Sequence, residues 1–259
     1  MGSVSYDFTG QTAIVTGAGK GIGRAIARAL AEAGANVVLA GRHPETLAAV
    51  GGECAGSAGK TLVVPADVQS ADQVRRLIAQ TLAAFGQIDV LVNNAGVNRT
   101  GPSLEVDEAT WDCIIDTNVK GMFFACQAAG RYMIARGRGR IVNIGSIISH
   151  IGLGFNVPYA CSKGAVALMT KSLALEWGRY GINVNAVGPG YVLTDQVRWL
   201  FENSAYRDGI MAKQPMGALP SEVDIAATVL FLASEAARFI NGEVVYVDGA
   251  SASGWMGPE

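Results

Sequence analysis

From end to end the chain alternates short apolar runs with segments of helical spacing, and few folds accept that rhythm. Strand-like runs fall at 12–18 (TAIVTGA), 36–41 (NVVLAG), 61–67 (TLVVPAD), 88–96 (IDVLVNNAG), 140–146 (RIVNIGS), 182–190 (INVNAVGPG) and 243–249 (EVVYVDG). Helical patterns fill the gaps at 21–34, 44–55, 70–86, 104–136, about 158–179 and 221–234. The first places Ile22, Ile26, Leu30 and Ala33 on one face and stops at Gly34. The third has Ser70 as N-cap and Gly86 as stop, with Val74, Leu77, Ile78, Leu82 and Phe85 facing inward. The strands are nearly unbroken Val, Ile and Leu, the composition that burial on both faces demands. Seven strands separated by six helical segments predict one doubly wound α/β sheet.

Length alone, 259 residues, allows one domain or two. Half the residues are apolar and no linker or shift of composition divides them, which predicts a single domain over 1–259. The net charge is −2, from 20 basic and 22 acidic residues without a basic block, so no nucleic-acid partner is expected. No apolar run reaches the ~18 residues that span a bilayer, so no membrane is expected either. The N-terminus lacks a charged-then-apolar signal pattern, and Tyr6 stands where myristoylation requires Ser or Thr. The four cysteines, at 54, 113, 126 and 161, have neither metal-ligand nor CxxC spacing, and the two histidines are His43 and His150. No metal and no disulfide is expected, and reduced thiols fit a cytoplasmic location.

The turn after the first strand, TGAGKGIG at 16–23, has the spacing TGxxxGxG instead of GxGxxG. A helix N-terminus offers free N–H groups and the positive end of a dipole, which suits a pyrophosphate, and glycine lets the backbone approach it. Gly17, Gly19, Lys20, Gly21, Ile22 and Gly23 are therefore cofactor candidates. An NAD site places an acid near the end of the second strand, about 20 residues on. Here Gly41 takes that position, Arg42 follows it, and Lys20 adds a second cation. Two cations and no acid predict NADP(H), its 2′-phosphate gaining ~1.5–3 kcal/mol per charge-assisted bond, roughly tenfold to a hundredfold in affinity.

Together, TGAGKGIG, NNAG (93–96), Asn118, Ser146, YACSK (159–163) and GPG (188–190) resemble the short-chain dehydrogenase/reductases in order and spacing, over essentially the whole chain. The resemblance implies a Rossmann-type seven-stranded parallel sheet with helices on both faces, and a homotetramer. It implies catalysis by Asn118, Ser146, Tyr159 and Lys163, the tyrosine as acid/base and the lysine as its helper. Asn118 would belong to a proton relay through Lys163. Asp67 and Val68 would contact adenine, and Asn94, Ala95 and Gly96 would lie along the adenosine side. Pro189, Gly190, Val192 and Thr194 would meet the nicotinamide end, with Thr194 on the carboxamide. Departures from the family pattern are Ala250 in place of the second glycine of VDGG, and Ser221 as a cap in place of the proline that often opens the last helix.

The Tyr159–Lys163 spacing has a reason of its own. Residues i and i+4 share a helix face. A free tyrosine titrates near pH 10. A neighbouring ammonium and an oxidised nicotinamide favour phenolate. A lowering of ~2–3 units corresponds to ~3–4 kcal/mol and brings the phenol into range for proton transfer. Ser146 would hold the substrate oxygen beside it.

Residues 191–219 break the rhythm and read as a substrate lid carrying Tyr191, Arg198, Trp199, Phe201, Arg207, Met211 and Lys213. His150 and Asn156 are further candidates for the pocket border. The expected reaction interconverts a ketone and a secondary alcohol, with a small-molecule substrate. The chain resembles gluconate 5-dehydrogenase-like sugar-acid or polyol enzymes, and also 3-oxoacyl-[acyl-carrier-protein] reductases, which need a basic patch for their carrier. A broad carbonyl reductase and a non-catalytic NADPH sensor complete the alternatives.

Overall fold

A computed structural model of the chain describes residues 5–194 and 203–254. The strands are β1 (Thr12–Thr16), β2 (Asn36–Gly41), β3 (Thr61–Pro65), β4 (Val90–Asn93), β5 (Gly139–Ile144), β6 (Ile182–Pro189) and β7 (Val244–Val247). They form one parallel sheet in the order β3-β2-β1-β4-β5-β6-β7. Alternate residues of a strand face opposite sides, and β1 displays this: Ala13 and Val15 enter one apolar cluster, Ile14 the other.

Helices α1 (Gly21–Glu32) and α2 (Pro44–Glu53) cover the first face, through Ile26, Leu30, Leu47 and Val50. Helix α3 (Ala71–Phe85) covers the second, through Val74 and Leu77. Its ends are as the sequence predicts: Ser70 accepts from the Gln73 amide, and Gly86 closes the helix at φ +73°. Apolar burial at ~25 cal/mol per Å², near 2 kcal/mol for a full Leu or Val side chain, is what fastens these helices to the sheet.

Residues 104–136 are not one helix. A 3₁₀ turn at Ser103–Glu105 precedes α4 (Glu108–Ile115), and a π-helical turn at Asp116–Gly121 separates it from α5 (Met122–Arg136). The side chain of Asp107 accepts from the Thr110 amide and restarts the chain as α4. The π turn is an inserted register shift, a feature frequent at functional sites, and it carries Asn118. Helix α6 (Val157–Trp177) packs on the α3/α5 face, whereas α8 (Glu222–Ala233) joins α1. Ser221 and Asp224 form a reciprocal capping box at the start of α8. The 191–219 stretch holds one helix among its described residues, α7 (Ser204–Met211), capped by Asn203. Arg198, Trp199 and Phe201 lie outside the described residues. No helix among those described is long and apolar enough to cross a membrane.

The order of connection reverses between β1 and β4. Their carboxyl ends open the crevice in which doubly wound sheets bind ligands.

Candidate active site

The cradle begins with Gly17, at φ +65°, just past β1. A Cβ there would come within 2.9 Å of Asn94 Nδ2, and one on Gly23 would overlap both Gly17 O and Asn94 Nδ2. Asn94 holds the turn from the neighbouring strand, donating to Thr16 O at 3.0 Å and Gly17 O at 3.1 Å. Thr16 Oγ1 in turn accepts from the amides of Asn94 (3.0 Å) and Ala95 (3.1 Å). NNAG is thus the brace of the glycine turn as well as a cavity wall. Lys20 is the N-cap of α1 and makes no side-chain cap, so no side chain of its own cap competes for the first-turn N–H groups. These features fit a pyrophosphate.

One cavity of about 510 Å³ runs from this turn to Tyr159. It is lined by every cofactor candidate read from the sequence: Gly17, Gly19, Lys20, Gly21, Ile22, Gly23, Arg42, Asp67, Val68, Asn94, Ala95, Gly96, Tyr159, Lys163, Pro189, Gly190, Val192 and Thr194. Ser146 lines it too; Asn118 does not. Lys20 and Arg42 are both exposed and share the far end with His43 and Thr46, which sequence reasoning missed. The signal was present, since both lie within four residues of Arg42 at the start of α2.

At the other end, Ser146 follows β5 and caps a 3₁₀ turn, Ile147–Ser149. Its Oγ accepts from the Ile148 amide at 3.2 Å while Ser149 Oγ accepts from the Ser146 amide. Its hydroxyl caps this turn and also stands close enough to the Tyr159 phenol to favour ionisation there. Lys163, nearly buried, donates to Ile144 O at 2.7 Å and lies 5.5 Å from the centre of the Tyr159 ring. Desolvation lowers its pKa to about 8.

The geometry adds detail at two of these residues and corrects one expectation about the pocket border. Burial raises the Tyr159 pKa above its ordinary value, and Ser146 only partly opposes it. Lowering was expected from the ammonium and an oxidised nicotinamide. That expectation concerns the phenol with both cations beside it. Asn118 makes no side-chain bond to Lys163. It clamps Val97, accepting from its amide at 2.8 Å and donating to its carbonyl at 2.9 Å, and it donates to Ser162 Oγ at 3.0 Å. Ser162 Oγ donates to Tyr159 O, so Asn118 reaches the catalytic helix by its backbone. Finally, His150 and Asn156 do not line the cavity. His150 Nε2 meets Ala252 O at 3.1 Å and its ring packs 4.3 Å from that of Tyr246, whereas Asn156 is buried and accepts from Thr100.

Of the described lid positions singled out above, Tyr191 alone lines the cavity. Burial first, and then Tyr206 on α7, push its hydroxyl to about 12, so it stays a neutral phenol. Sequence reading also missed Val97, Asn98, Ile147, Ile148 and Leu153, side chains of loops that the topology gathers at the Tyr159 end.

A family model described as enoyl-(acyl carrier protein) reductase matches residues 17–250. The gluconate 5-dehydrogenase of Gluconobacter oxydans is 40% identical over 246 residues, 94% of this chain and 95% of its own. The (2S)-[(R)-hydroxy(phenyl)methyl]succinyl-CoA dehydrogenase subunit of Thauera aromatica is 39% identical over 92% of this chain and 95% of its own. Among solved structures, a gluconate 5-dehydrogenase from Burkholderia cenocepacia in complex with NADP and tartrate superposes with a TM-score of 0.90 at 38% identity, covering 96% of this chain and 98% of that one.

Proposed function

The chain belongs to the short-chain dehydrogenase/reductase family, and from that premise we propose that it interconverts a ketone and a secondary alcohol with NADP(H). The observation that carries the proposal is that a phosphate cradle and the Ser146–Tyr159–Lys163 group line one continuous cavity. When bound, the nicotinamide supplies or accepts the hydride.

The remaining work falls to the chain. The glycine turn and the start of α1 hold the pyrophosphate, and Lys20 and Arg42 meet the 2′-phosphate. Thr194, Pro189 and Val192 flank the nicotinamide end. The NADP bound to the Burkholderia relative supports this choice of nucleotide. In reduction, Ser146 Oγ positions the carbonyl oxygen and Tyr159 Oη donates its proton to it. Burial raises the pKa of this phenol, which favours the protonated form that the step requires. The Lys163 ammonium, one helical turn along, stabilises the phenolate left behind. In oxidation the same atoms take the proton from the alcohol. Asn118 acts through position, tying the Val97 wall to α6.

We also read the assembly as a homotetramer. Phe123 on α5 and Leu168 and Leu175 on α6 are exposed apolar side chains that a neighbouring subunit would cover; light scattering of the purified protein tests this.

Relatedness does not choose the substrate. A sugar-acid name and a phenyl-bearing name stand at 40% and 39% identity. The deciding experiment for the reaction is NADPH oxidation against a panel of ketones, with NADPH affinity measured in parallel by fluorescence. Turnover on any member supports the proposal. Tight NADPH binding with no turnover on any ketone favours the sensor reading.

A further inference from the structure

On the reaction just proposed, the reactive end of the cavity has to hold a ketone, and its walls restrict which kind. The cavity that holds Ser146 and Tyr159 is also lined by Val97, Ile147, Ile148 and Leu153, with Asn98 and Tyr191 as neutral polar members of its wall. Among the described residues the other charged or titratable lining groups, Lys20, Arg42, His43 and Asp67, belong to the nucleotide end. The one cation near the reaction, Lys163, is buried and donates to Ile144 O.

Three of the basic groups flanking the cavity, among the described residues, have neighbours of their own. Arg99 stands near enough to Asp107 to help hold that carboxyl below its usual range, though the Thr110 hydrogen bonds contribute more. Arg207 pairs with Asp208 at 3.0 Å. His150 faces the Ala252 carbonyl. A carboxylate brought beside Tyr159 would shed water and find no described counter-charge, which is costly. An apolar substituent would lie against Ile148 and Leu153 and gain from the contact.

The apolar wall is held in place. Gly101 N donates to Phe155 O at 2.9 Å and Thr100 Oγ1 to Asn156 Oδ1 at 3.3 Å, so the loop bearing Leu153 is fastened to the loop bearing Asn98. Phe155 adopts φ +62°, a left-handed conformation unfavourable for an aromatic residue, with its ring 65% exposed. Leu153 is 36% exposed at the mouth.

We propose that the substrate is a ketone, or the corresponding secondary alcohol, with an uncharged apolar substituent beside the reacting carbon. Leu153 is the specificity-determining residue that disfavours carboxylates. This rests on the reaction proposed above.

The test compares kcat/KM for acetophenone and for 5-keto-D-gluconate, with NADPH saturating, in the wild type, Leu153→Arg and Leu153→Ala. The wild type is expected to prefer the aryl ketone by about tenfold or more. Leu153→Arg is expected to move that ratio about tenfold towards the keto acid. Leu153→Ala is expected to raise KM for acetophenone with no gain for the keto acid. NADPH affinity and Tm, measured on each variant, separate a change of specificity from misfolding. If Leu153→Arg does not fold, Leu153→Ala decides. A wild type that prefers the keto acid, or a ratio that neither variant moves, overturns the substrate class and leaves the reaction standing. NADPH binding without turnover of any ketone overturns both.

Discussion

The two ends of the cavity are made of different material. The nucleotide end is backbone: a glycine turn, the start of α1, and Asn94 bonded to two carbonyls of that turn. The reactive end is side chains from the loops after β4, β5 and β6. Backbone recognition tolerates almost no variation, because a single Cβ on Gly17 or Gly23 collides with its brace. Side-chain recognition can be exchanged residue by residue while the reaction stays the same. One family can therefore keep a nucleotide and change its substrate.

Four experiments would break or sharpen that contrast. The largest effect belongs to the reactive end. Tyr159→Phe removes the transferable proton, and kcat should fall about a thousandfold, ~4 kcal/mol in the barrier, with NADPH affinity and Tm preserved. Activity near the wild type would remove the tyrosine from the chemistry.

Next comes Lys163, whose pKa drops from 10.5 to about 8 through desolvation. Burying the charged form destabilises the fold, and below pH 8 that penalty is fully present. As pH rises from 8 towards 10.5 the folded chain has lost the proton while the unfolded chain still binds it, so stability rises. Measured against Lys163→Met, the wild type should gain about 3 kcal/mol across that window in denaturant titrations. A pH-independent difference would mean that the lysine is not desolvated.

At the nucleotide end, Gly23→Ala forces a methyl into the carbonyl of Gly17. NADPH affinity should fall by roughly tenfold to a hundredfold, within the ~1–3 kcal/mol that overpacking costs, while a ketone's KM extrapolated to saturating NADPH stays near its wild-type value. If affinity is unchanged, the close-fitting cradle is not what binds phosphate. The smallest effect is expected at Arg42→Asp. Its side chain is exposed and solvent-screened, so the NADP-to-NAD ratio of kcat/KM should move towards NAD by about tenfold. An unmoved ratio would transfer the 2′-phosphate to His43, Thr46 or Lys20.

Legibility in the sequence follows the same division. The seven strands and the ends of α3 and α8 were readable, because apolar runs, Ser70, Gly86 and Ser221 act within a few residues of themselves. The register break at Asp116–Gly121 was not, since α4, the π turn and α5 follow one another without a proline or a glycine stop between them. Asn118 was found by pattern, but its hydrogen-bond partners were not. Nothing in DTNVKG announces that its amide will clamp Val97, 21 positions away. The phenol of Tyr159 was read from its lysine and the burial around it was not visible.

The sequence by itself determined the sheet and the glycine turn after its first strand, and it marked the residues proposed for the chemistry, because each depends on local spacing or on a glycine that no other residue can replace. Only the tertiary structure decided that Leu153, Ile148, Asn98 and Tyr191 would line one cavity with Tyr159, and that burial would raise the pKa of its phenol. Those outcomes depend on which distant loops a parallel sheet gathers at one end and on how much water they displace, and neither quantity is carried by any single stretch of chain.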